Sequence, residues 1–74
     1  MKDNTIYIDV EKLPTKNTLK TNSILILAVY NKELPLQAKL VYFGHTYEIK
    51  QHTMQVERKT LDKVYIYICE ETNG

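Results

Sequence analysis

The stretch from Ala38 to Lys50 constrains this chain most. It reads A-K-L-V-Y-F-G-H-T-Y-E-I-K, with Gly44 as the only glycine before the final residue. Apolar side chains recur at every second position on both sides of that glycine, the period of a half-buried strand. A glycine between two such runs marks a tight hairpin. Gly44-His45 serves as its two-residue connection, glycine first as a type II′ turn prefers. That choice pairs Phe43 with Thr46, Tyr42 with Tyr47, Val41 with Glu48, Leu40 with Ile49 and Lys39 with Lys50. Leu40, Tyr42, Tyr47 and Ile49 then form one apolar stripe. A slip of one residue would mix the two faces. Gly44 and the four stripe residues are therefore the positions on which the fold depends.

The rest of the chain reads as strand too. Ile, Val and Thr, which suit a pleated surface, are abundant, whereas alanine occurs only at Ala28 and Ala38. Thr5–Val10 alternates as a first strand, with Ile6, Ile8 and Val10 on one face. Ser23–Tyr30 is apolar on both faces and reads as a central strand covered on both sides. Val64–Cys69 alternates, with Val64, Ile66 and Ile68 against Tyr65, Tyr67 and Cys69. Met54–Lys59 alternates weakly and is a candidate edge strand, charged as edges often are. Between these, Glu11–Asn22 is polar, contains Pro14 and shows no period, so it reads as a long loop. Asn31–Leu36 and Thr60–Lys63 are turns, and Glu70–Gly74 is a polar tail. The expected fold is all-β: a small antiparallel barrel or sandwich of five to six strands around one central hairpin, a single domain over residues 1–74.

Function is written less plainly. With 10 basic and 9 acidic side chains the charge is nearly balanced, and Arg58 is the only arginine. Bidentate reading of phosphates or guanine edges is then nearly unavailable. Tyr65 and Tyr67 share a strand face, which suits a stacking platform for single-stranded nucleic acid or, equally, a protein interface. Cys69, the only cysteine, allows no internal disulfide, which points to a reducing compartment. Met1–Val10 lacks the apolar run of a signal peptide, and the longest apolar stretch, Ile24–Tyr30, is too short to cross a bilayer.

Catalytic and metal chemistry find little footing. His45, His52 and Cys69 have no metal-ligand spacing and read more simply as two loop histidines and a structural thiol. Glu70 and Glu71 lie beside Cys69 and should raise its pKa, which blunts a nucleophile. As strand neighbours those two carboxylates point to opposite faces and cannot share a substrate atom. Ser23 has no nucleophile-elbow context, and no glycine-rich phosphate loop exists. No enzyme activity, cofactor or metal is expected.

One longer pattern goes further. Ile24–Ile49 contains a strand ending in Tyr30, an acidic–aliphatic pair at Glu33-Leu34, the run Lys39-Leu40-Val41-Tyr42, the turn at Gly44, and Tyr47-Glu48-Ile49. Tyr65–Glu70 adds a last Tyr-x-x-x-Cys-Glu strand after a variable loop. In these features the chain resembles the C-terminal half of the tailed-phage head–tail joining proteins, also called head-closure or head-completion proteins. The match spans about two-thirds of the chain; the N-terminal half is shorter than in that family and the Lys50–Lys63 loop is longer.

The resemblance implies a mechanical role: a ring of small β barrels beneath the portal that closes the packaged head and offers a docking surface to the tail. Partners would be other copies of the chain, portal or adaptor, and tail proteins. Lysines facing the bore would meet packaged DNA, and no membrane is involved. The implied location is the virion, assembled in the bacterial cytoplasm. The two long loops would carry the contacts, through Lys12, Lys16 and Lys20 in the first and His52, Arg58 and Lys59 in the second. The competing reading is a small phage-encoded β protein that binds and inhibits a host enzyme.

Overall fold

The computed structural model describes residues 5–72. The remaining residues, including the last two of the expected polar tail, lie outside that range. The chain forms one six-stranded sheet in the order β1-β4-β5-β6-β3-β2, curled into a half-barrel. The strands are β1 (Tyr7–Asp9), β2 (Thr15–Thr21), β3 (Ile24–Tyr30), β4 (Lys39–Tyr42), β5 (His45–Val56) and β6 (Lys63–Glu71). A single 3₁₀ turn, Val10–Lys12, follows β1, and the Asp9 carboxylate accepts from the Glu11 N–H at its start (3.1 Å). The fold is all-β, as the composition demands. The sheet is mixed, because β1 runs parallel to β4 while every other pair is antiparallel.

The core lies in the concave side. Leu25, Leu27 and Val29 of β3, Tyr67 and Cys69 of β6, Tyr47 of β5 and Leu40 of β4 point into it, almost wholly excluded from water. Val10 and Leu13 from the 3₁₀ segment and Leu34 from the β3–β4 connection close it over. Each large aliphatic buried this fully contributes about 1.5–3 kcal/mol relative to exposure. Ile24–Tyr30 is interior to the sheet as expected, but only its Leu25 face is fully buried; the Ile24 and Ile26 face is half-buried on the convex side.

The hairpin corrects the expected turn while keeping its consequence. Tyr42 pairs with His45, Val41 with Thr46, Leu40 with Tyr47 and Lys39 with Glu48. The connection is therefore Phe43-Gly44, not Gly44-His45. Both central residues have positive φ (49° and 79°), the type I′ arrangement whose twist matches the flanking strands. Electrostatics favours this register: the Lys39 ammonium meets the Glu48 carboxylate instead of facing Lys50. The shift moves each cross-strand partner by two residues, so no side chain changes face. Leu40 and Tyr47 are fully buried, and Tyr42 and Ile49 pack against the cluster they form.

Three further expectations are corrected. Glu11–Asn22 is not one long loop, because Thr15–Thr21 pairs with β3 as β2, with an irregularity between Thr15 and Asn17. Its side chains are mostly exposed, so it has no apolar alternation to read. Met54–Lys59 is not a separate edge strand. β5 continues past Ile49, takes a register shift between Ile49 and Gln51, and runs on to Val56 against β6. The expected tail from Glu70 begins inside β6, which ends at Glu71.

Candidate functional site

The residues expected to touch partners fall on two regions. Lys16 and Lys20 lie on β2 and are exposed, while Lys12 is exposed in the 3₁₀ turn. Because β2 is the last strand of the sheet, Lys16 and Lys20 mark an edge rather than a loop, while Lys12 stays outside the strands. His52 is on β5, opposite Tyr67, and so belongs to a strand instead of the expected loop. Arg58 and Lys59 sit in the β5–β6 turn, past the end of β5 and not in the edge strand expected over Met54–Lys59. The curl of the sheet brings Lys16 to the start of that turn, where its ammonium donates to the Glu57 carboxylate. That hydrogen bond, with the charge behind it, raises the Lys16 pKa.

Beside β5 an open groove of about 450 Å³ runs between Glu33, Leu36, His52, Thr53, Met54, Tyr65 and Tyr67. Its wall is built by the β3–β4 connection. Leu34 is pinned into the core there, its N–H donating to the Tyr67 hydroxyl (2.8 Å) in a buried bond. Burial raises the Tyr67 pKa, partly offset by that donor. Leu36 and Met54, both about half exposed, supply the groove's free apolar surface, and Glu33 is its one acidic lining residue. Composition pointed to none of this. The signal available was the apolar pair Leu34 and Leu36 around Pro35, in a segment read only as a turn.

Several other charges are tied locally. Hydrogen bonds from Lys39 and then Lys50 lower the Glu48 pKa. Asn31 and Thr60 do the same for Asp62. Asn31, at φ 52°, also accepts from the Lys63 N–H (2.9 Å), joining the exit of β3 to the entry of β6. The His45 ring meets the Glu71 carboxylate at 2.6 Å. Glu70 and Glu71 diverge, as strand neighbours must.

Chemical reactivity is muted. Cys69 is fully buried, and its thiol is pushed up to about 12. The cause is burial, not the neighbouring carboxylates. Tyr67 is buried, so the paired-tyrosine platform considered for nucleic acid is lost and only Tyr65 is left half open. Among the described residues no three His, Cys, Asp or Glu groups converge as a metal site. Among them, too, no helix is long and apolar enough to cross a membrane. Comparison with known protein families, curated proteins and solved structures returns no match.

What the arrangement offers is contact surface. Among the described residues three stretches of strand edge are open: β1 and β2 at the ends of the curved sheet, and the far half of β5, which the short β4 leaves uncovered. Four of its exposed large hydrophobics, Leu36, Met54, Val56 and Leu61, lie at the groove, along the end of β5 or in the turn after it.

Proposed function

We propose that this protein is a structural subunit of a tailed-phage head–tail connector, working by protein–protein contact rather than by turnover. The observation that carries the reading is the set of open strand edges on a small curved sheet whose one thiol is buried. Such a surface grips polypeptide: edges offer main-chain hydrogen bonds, and the exposed Leu36, Met54 and Val56 offer apolar contact beside them. The hairpin stripe and the Ile24–Ile49 pattern, which resemble the head–tail joining proteins, supply the specific role. In that role copies would line up beneath the portal, and Lys12, Lys16, Lys20, Arg58 and Lys59 would face neighbours or packaged DNA.

Mass spectrometry of purified virions from the genome that encodes the chain tests this directly. The expected result is this polypeptide in several copies per particle, co-purifying with portal and tail components. Its absence from virions, together with tight one-to-one capture of a host enzyme, would replace the connector with the inhibitor reading.

A further inference from the structure

Two of the open edges, β2 and the far half of β5, match each other. Main-chain bonds alternate along an antiparallel strand, so each residue faces one neighbour or the other. The Glu71 N–H donates to the Ser23 carbonyl (2.7 Å) and the Asn31 N–H to the Lys63 carbonyl (2.6 Å). These bonds set the phase of β3 against β6: Leu25, Leu27 and Val29 face β6, while Ile24, Ile26 and Ala28 face β2. Their partners Thr21, Leu19 and Asn17 are therefore satisfied, and Thr18 and Lys20 direct their main-chain groups outward. The same reasoning applies to β5. The Glu57 N–H donates to the Asp62 carbonyl (2.9 Å), so Gln55, Thr53 and Gln51 face β6, and His52, Met54 and Val56 face away. β4 covers β5 only from His45 to Glu48.

We propose that β2 of one copy adds as an antiparallel strand to the Gln51–Val56 edge of a second copy. The inference rests on the connector reading and names the partner of its edge surface. Three features select a second copy as the occupant. The lengths are close: β2 has seven residues and the uncovered part of β5, Ile49–Val56, has eight, six of them beyond the irregularity. The faces agree as well. Thr18 and Lys20 share the concave side with Leu27 and Leu25, and His52 and Met54 share it with Tyr67 and Tyr65. Antiparallel addition thus brings outward-facing main chain against outward-facing main chain while keeping the concave sides continuous. Charge agrees too. β2 carries Lys20 and no acid, besides Lys16, which Glu57 of the same copy already holds, whereas Glu33 is the acidic residue lining the receiving groove. Lys20 would enter that groove from the neighbouring copy. Because the donating and receiving edges differ, the contact is head-to-tail and propagates until it closes into a ring or continues as a filament.

Light scattering on size-exclusion fractions across a wide concentration range tests the pairing, with circular dichroism as the folding control. Thr18→Pro and Met54→Pro each remove an outward N–H that no described strand of the same chain uses. The parent should self-associate, and each variant alone should be a monomer. A mixture of the two should form a one-to-one dimer and nothing larger, because each variant keeps the edge that the other has lost. Lys20→Glu and Glu33→Lys leave the main chain intact and keep the test valid if the prolines unfold the protein. Each should weaken association several-fold, and the double variant should recover it. A parent that stays monomeric throughout overturns the pairing, as does an oligomer indifferent to all four changes. The virion measurement above is independent of either outcome, so the connector reading stands or falls separately.

Discussion

Two tyrosine hydroxyls sit in the same core with opposite fates. That of Tyr67 accepts the Leu34 N–H. That of Tyr47 is buried with no hydrogen-bond partner among the described residues. Removing Tyr67 Oη strands a buried donor, so Tyr67→Phe should cost about 1–3 kcal/mol in chemical denaturation. Tyr47→Phe removes a group that gains nothing from burial, so its stability should equal or exceed that of the parent. Equal losses for the two would mean that Leu34 does not depend on Tyr67. Cys69 makes a second residue-scale prediction. Its folded pKa, about 12, lies above the roughly 8.5 of an unfolded thiol. The neutral thiol's contribution is complete below that lower value and drains away as pH rises towards the upper one. The parent should therefore lose more stability than Cys69→Ala between pH 8 and pH 11, as read from thermal melts. A thiol reagent at neutral pH should label the protein only as fast as it opens.

At the scale of elements, the β4–β5 hairpin shows how a wrong turn can yield a correct face. Parity alone assigns Leu40, Tyr42, Tyr47 and Ile49 to one side, and any register of the same parity preserves it. Which such register wins depends on Phe43 accepting positive φ and on Lys39 meeting Glu48. Gly44 has φ 79°, and nothing lies within 4 Å of where a side chain would start. Gly44→Val should therefore strain the backbone without a clash, costing roughly 1–3 kcal/mol. A variant melting with the parent would show that this turn tolerates a β-branched residue at positive φ. β2 was illegible for a different reason. A strand held by its ladder to β3, with exposed side chains, needs no apolar alternation. Its three threonines and the Asn22 that takes φ 48° in the following turn were the only local signs.

At the scale of the whole molecule, protection should follow the order of strands. β3 and β6 are paired on both sides along most of their length, whereas β2 and the far half of β5 are paired on one. Hydrogen exchange should be slowest at Leu25, Leu27 and Val29 and at Tyr65, Tyr67 and Cys69, whose N–H groups lie between these two central strands. It should be fast at Thr18, Lys20, His52 and Met54 in dilute protein and slow down there with concentration if copies add strand to strand. Uniform exchange rates across the sheet would contradict the topology.

Local pattern by itself determined that the chain is β, that Ile24–Tyr30 and Val64–Cys69 are strands, and which hairpin residues share the core. Period-two alternation is a property of neighbours in the chain and survives any correct pairing. Tertiary structure alone decided the parallel contact of β1 with β4, the recruitment of Thr15–Thr21, the continuation of β5 through its irregularity, and the groove beside it. The pairings rest on main-chain bonds, between segments distant in sequence for β1 with β4 and across short turns for β2 with β3 and β5 with β6, and such bonds leave no mark on the order of side chains.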